Sequence, residues 1–98
     1  MKVIRYVVVR GRVQGVGYRA WLADEAIERG LEGWVRNRRD GTVEAVFAGE
    51  GDVVGAMIAD CRRGPALARV ESLDNQPGTA DDLGVSTSRE RFAVLPTV

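Results

Sequence analysis

The chain has 98 residues, of which 14 are basic and 14 acidic, and it contains no histidine. This length suits a single domain that buries roughly 60–70% of its unfolded surface, and 45% apolar with 29% charged residues is a globular composition, not a disordered one. Zero net charge gives no overall pull toward nucleic acid or membrane, and without histidine there is no imidazole base or histidine metal ligand.

The lone Cys61 cannot form an internal disulfide. No apolar run approaches the ~20 residues that span a bilayer, and no secretory leader pattern opens the chain, so a cytoplasmic location is expected. Val3 to Val13 reads as a strand, with Val7, Val9 and Val13 on one face and Arg10 and Arg12 on the other. A helix is expected from Tyr18 to Arg29. Its apolar stripe is Tyr18, Leu22, Ala26 and Ile27, and Gly30 suits its end.

Leu31 to Asn37 reads as a second strand, with Gly33 and Val35 inward and Trp34 and Arg36 outward. The Asp40-Gly41 pair marks a hairpin turn. Thr42 to Ala48 is the third strand, where Val43, Ala45 and Phe47 alternate with Thr42, Glu44 and Val46. Asp52 suits the N-cap of a second helix, whose Val54, Met57, Ile58 and Cys61 fall at i, i+3, i+4 and i+7. Cys61 on that buried stripe is expected to be an inert packed thiol. Gly64-Pro65 ends the helix.

Leu67 to Asp74 is a fourth strand, interrupted by Arg69 and Glu71. Residues 75–88 read as a surface connection, and Arg91 to Leu95 as a short edge strand with Phe92 and Val94 on one face. The order βαββαβ with a short extra strand implies an α+β, ferredoxin-like sandwich, its antiparallel-rich sheet covered by two helices on one face. In that topology the first two strands run parallel on either side of the third. The carboxyl ends of both then share one sheet edge, roughly 10 Å apart.

One of those ends carries Gly11-Arg12-Val13-Gln14-Gly15-Val16-Gly17-Tyr18-Arg19. Glycines between a strand and a helix start let a ligand approach the backbone closely. The helix N-terminus adds free N–H groups and partial positive charge, and Arg19 adds a planar fork of donors. A flexible turn followed by a surface arginine accounts equally well for the composition. The other end carries Asn37, which by itself reads as a cap for the Arg38–Gly41 turn.

Together these stretches resemble the two signatures of the acylphosphatase family, G-x-V-Q-G-V-x-[FY]-R at Gly11–Arg19 and G-[FYW]-[AV]-x-N-x-x-D-G-x-V-E at Gly33–Glu44. The resemblance implies the ferredoxin-like fold and hydrolysis of acyl phosphates to a carboxylate and inorganic phosphate. It gives Arg19 the role of holding the phosphoryl group and Asn37 that of orienting the attacking water. The backbone amides of Gly15, Val16, Gly17, Tyr18 and Arg19 become the phosphate cradle, and Gln14 a support of the loop. Arg38-Arg39 departs from the commoner small or uncharged residues of the family and bears on substrate preference. Neither cofactor nor metal is implied.

Two other classes share this fold. An RNA-binding module would stack bases on aromatic residues, and the expected open face of the third strand (Thr42, Glu44, Val46, Ala48) offers none. A non-catalytic phosphate-binding module would keep the loop without turnover. Related domains also occur inside larger carbamoyl-transfer proteins, whereas a chain of this length is expected to stand alone. The expected partners are a small acyl phosphate and its phosphate product, with no nucleic acid, no membrane, and a monomer as the default state.

Overall fold

The computed structural model describes all residues from Met1 to Val98. Strands β1 (Lys2–Arg12), β2 (Glu32–Asn37), β3 (Val43–Glu50), β4 (Arg69–Pro77) and β5 (Phe92–Val94) form one sheet in the order β4-β1-β3-β2-β5. β3 pairs antiparallel with both β1 and β2, so β1 and β2 run parallel with β3 between them. The register is specific. Val9 faces Val43, and Val43 faces Asn37, so Asn37 is level with the carboxyl-terminal part of β1 two strands away.

Alternation along β1, β2 and β3 supplies the core. Val7, Val9, Val35, Val43, Ala45 and Phe47 are fully buried on one face. Helices α1 (Tyr18–Glu28) and α2 (Gly51–Arg63) contribute Tyr18, Leu22, Ala26, Val54, Met57, Ile58 and Cys61 to the same cluster. The i, i+3, i+4, i+7 stripe of α2 is buried as its spacing implies.

The structure revises several local expectations. Ile27 is 56% exposed, and Ala23 takes its place on the buried face of α1. At 100° per residue Ile27 lies 180° around the helix from Tyr18, so it cannot share that side chain's face. Asp52 is not the N-cap of α2. Glu50 holds that position, and Asp52 sits in the first turn, where its Oδ1 accepts from the Val53 amide at 2.9 Å.

The segment 75–88 is not merely a surface connection. β4 continues to Pro77, and a short helix α3 (Ala80–Leu83) follows, opened by a capping box between Thr79 and Asp82. β5 pairs parallel with β2 through Gly33, Trp34 and Val35, so β2 becomes an interior strand. These additions cover part of the sheet face opposite α1 and α2. Trp34, Val46 and Ala93 are buried there against Ile4, Tyr6, Leu83 and Leu95, and Trp34 Nε1 donates to the Asp82 carbonyl at 2.8 Å.

The face expected to be open at Glu44 and Val46 is therefore closed, both residues being buried. Glu44 accepts from Tyr6 Oη and from Arg36 Nε (2.6 Å), and the Arg36 guanidinium lies 4.7 Å from the Trp34 ring centroid. The buried carboxylate is thus paired as burial demands. No helix is long and apolar enough to cross a membrane.

Candidate functional site

The glycine loop follows β1 and ends where α1 begins. Gly15 and Gly17 have φ of 74° and 78°, and both face open space at the position a Cβ would take. The left-handed backbone, not crowding, is what requires glycine here. Gly17 is the N-cap of α1, and the first bond of the helix runs from the Trp21 amide to the Gly17 carbonyl at 3.1 Å. The amides of Gly15 to Ala20 find no backbone acceptor in the protein. They form a run of donors at a helix N-terminus.

Arg19 stands in the first turn of that helix, half-buried and outside every ion pair of the protein. No acidic residue occupies the turn with it. The guanidinium and the helix end therefore add their positive charge in one place.

Across the sheet edge, Asn37 closes β2. Its backbone is held from both sides, by pairing with Val43 in β3 and by the Val98 amide, which donates to the Asn37 carbonyl at 3.1 Å. The side chain is buried, and its Oδ1 has no hydrogen-bond partner, the one buried side-chain polar atom of the protein in that condition. The β2–β3 turn is capped by a different residue. Asp40 Oδ1 accepts from the Thr42 amide (3.0 Å) and from Thr42 Oγ1 (2.7 Å). Those two bonds, the hydroxyl's first, hold the Asp40 carboxyl below its ordinary pKa. Turn capping by Asn37 is thereby replaced.

Asn37, Arg19, Gly15, Gly17 and Tyr18 line one cavity of about 270 Å³, together with Val13, Gln14, Ala20 and Val94. Val16 is the exception among the loop residues singled out from sequence. Its side chain packs against the core, and only its unpaired amide belongs to the loop's donors. Two lining residues were not singled out from sequence, Ala20, which directly follows Arg19, and Val94 of β5. Alternation with Phe92 placed Val94 on the helix-facing side, but the parallel pairing with β2 that carries it to the cavity leaves no local signal.

Tyr18 anchors the loop from below. Its ring is buried, and its hydroxyl donates to the Cys61 carbonyl at 2.7 Å. Burial, then the neighbouring Cys61, raises the Tyr18 pKa far above that of a free phenol. Burial likewise pushes the Cys61 thiol up to about 12, as befits an inert packing residue. A larger cavity, about 530 Å³, opens at the other end of the sheet beside Lys2, Leu31 and Val53. No residue of either signature block lines it.

An α+β ferredoxin-like sheet with a cationic, amide-lined cavity at one edge is the class of protein that fold and site define. The family model for acylphosphatase matches residues 5–88. An acylphosphatase of Rhodopseudomonas palustris (strain BisB18) is 57% identical over 96 residues, spanning 98% of this chain and 97% of its own length. One from Bradyrhizobium diazoefficiens is 55% identical over 97 residues, spanning 99% of this chain and 98% of its own. The crystal structure of acylphosphatase from Bacillus subtilis aligns with a TM-score of 0.82 at 29% identity, covering 97% of this chain and 99% of that one. The chain belongs to the acylphosphatase family.

Proposed function

We infer that the chain is an acylphosphatase, hydrolysing the carboxyl–phosphate anhydride of an acyl phosphate to a carboxylate and inorganic phosphate. The phosphoryl oxygens take the donors of Gly15, Val16, Gly17, Tyr18 and Arg19 amides and the guanidinium of Arg19. The loop backbone sets the amides before substrate arrives, and with the guanidinium they act where charge develops during phosphoryl transfer. Water attacks phosphorus, the P–O bond to the acyl group breaks, and the carboxylate leaves with the bonding electrons. Such a leaving group is stable as an anion and needs no general acid.

Asn37 orients the water. Its amide cannot serve as a base near neutral pH, but its oxygen can accept, and its NH₂ donate, a hydrogen bond that holds water toward phosphorus. The water's proton passes to a phosphoryl oxygen. The observation that carries this reading is Asn37, a residue of the cavity shared with Arg19 and the free amides, whose buried Oδ1 has no donor of its own. A buried acceptor left unpaired costs about 1–3 kcal/mol, which a bound water relieves.

Turnover of benzoyl phosphate by wild type and by Arg19→Ala tests the assignment. Loss of one preorganised donor costs about 10²–10³ in kcat. A folded Arg19→Ala protein within a few-fold of wild type would refute the role given to Arg19.

A further inference from the structure

Gln14 lies at the point where the glycine loop crosses the β2–β3 turn. Its Nε2 donates to the Arg38 carbonyl and to the Thr42 carbonyl, each at 2.8 Å. Arg38 directly follows Asn37, and Thr42 directly precedes Val43, the strand partner of Asn37. The two carbonyls thus flank the base of the turn that ends the Asn37 strand. Both already accept a bond within the turn, Thr42 from the Arg38 amide (2.9 Å) and Arg38 from the Gly41 amide (3.1 Å). Each offers one remaining lone pair, and only a group with two hydrogens on one atom can serve both.

We propose that Gln14 is a positioning residue that couples the phosphate cradle to Asn37, fixing the distance between the phosphoryl group and the attacking water. This rests on the roles given above to Arg19 and Asn37. The cradle amides and Arg19 belong to one continuous segment, so their mutual geometry survives loss of the Gln14 side chain. Asn37 comes from a different strand, and among side-chain hydrogen bonds only those of Gln14 join the loop to its turn. Removing them frees the two halves of the site to drift apart while each stays intact. A displacement on the order of 1 Å between reacting groups costs up to about a hundredfold in rate. Glutamate has the right shape for the position but no amide hydrogens, and its charge would face two carbonyl oxygens.

The test is a double-mutant cycle of Gln14→Met and Asn37→Ala, followed by kcat for benzoyl phosphate and by calorimetric Kd for inorganic phosphate. Gln14→Met should lower kcat by about tenfold to a hundredfold, with phosphate Kd changed less than about threefold, on the scale of an ordinary surface substitution. In the Asn37→Ala background the same substitution should change kcat little, because the water is then no longer held. Gln14→Leu, which also lacks the amide donors and adds no charge, should reproduce the pattern by an independent route if Gln14→Met folds poorly. Equal losses of kcat in both backgrounds, or a phosphate Kd that weakens in step with kcat, would overturn the coupling and leave Gln14 a loop support. Wild-type kcat in Asn37→Ala alone would instead refute the water-orienting role of Asn37, a separate result.

Discussion

Arg19 occupies a position that helix electrostatics disfavours, a cation in the first turn beside unpaired amides. That arrangement costs about 0.3–1 kcal/mol in the empty protein and becomes favourable once an anion arrives. Asn37 shows the same logic with opposite polarity, a buried acceptor without a donor. Departures from ordinary stability rules at two residues of one cavity fit the roles proposed for them, since functional sites are where such rules are broken. The sequence alone could not distinguish Asn37 as a turn cap from Asn37 as a ligand of water. Asp40 caps the turn and so leaves the Asn37 side chain free for the role proposed above. For Asn37→Ala we expect kcat to fall by about 10²-fold, the scale of a lost orienting contact, while phosphate Kd stays within about threefold. Calorimetry alongside turnover checks this. Parallel loss of both would make Asn37 a phosphate ligand or a structural residue.

At the scale of elements, segments with strong local periodicity were legible and those defined by distant partners were not. The stripe Val54, Met57, Ile58 and Cys61 and the alternation of β3 both announce a buried face within a dozen residues. By contrast, α3 consists of four polar-rich residues whose helical state depends on the Thr79–Asp82 capping box and on Trp34 reaching the Asp82 carbonyl. The short edge strand expected at Arg91 to Leu95 is present as β5, but its parallel partner lies far away in sequence and left no local trace. The glycine loop was readable because its left-handed positions at Gly15 and Gly17 require glycine and so mark it within a short stretch. Trp34→Phe deletes the donor to Asp82 and leaves a gap in the smaller cluster, so we expect destabilisation of about 1–3 kcal/mol by urea unfolding. Turnover per folded molecule should be unchanged, because Trp34 faces away from the cavity. A change in kcat comparable to that of Asn37→Ala would contradict this separation of the two faces.

For the molecule as a whole, two consequences are measurable. The first is pH dependence. Burial, then the hydrogen bond and charge of Glu44, raises Tyr6 to about 12, and Cys61 is raised to about 12 by burial. Unfolded values are about 10 and about 8.5. The folded state keeps protons that the unfolded state releases, so these contributions are complete below the unfolded values and are lost as pH rises toward about 12. Tyr18 acts with the same sign. Urea unfolding should show stability declining above about pH 8.5, more steeply past pH 10, with the steeper part reduced in Tyr6→Phe. A flat profile from pH 8 to 11 would contradict the burial of these groups.

The second consequence bears on the central claim, that the glycine loop and Arg19 build an anion site to which Asn37 adds water but not affinity. A ligand that binds only the folded state stabilises it by RT ln(1 + [L]/Kd), about 1.4 kcal/mol at ten times Kd. That corresponds to roughly 4–8 °C per kcal/mol in a domain of this size. The decisive measurement is the melting temperature of wild type, Arg19→Ala and Asn37→Ala across one phosphate titration at fixed ionic strength, which holds general salt effects constant. A saturable rise in wild type and in Asn37→Ala that largely disappears in Arg19→Ala is the predicted result. Equal rises in all three proteins would contradict the account, because the loop would then be a turn and not a cradle.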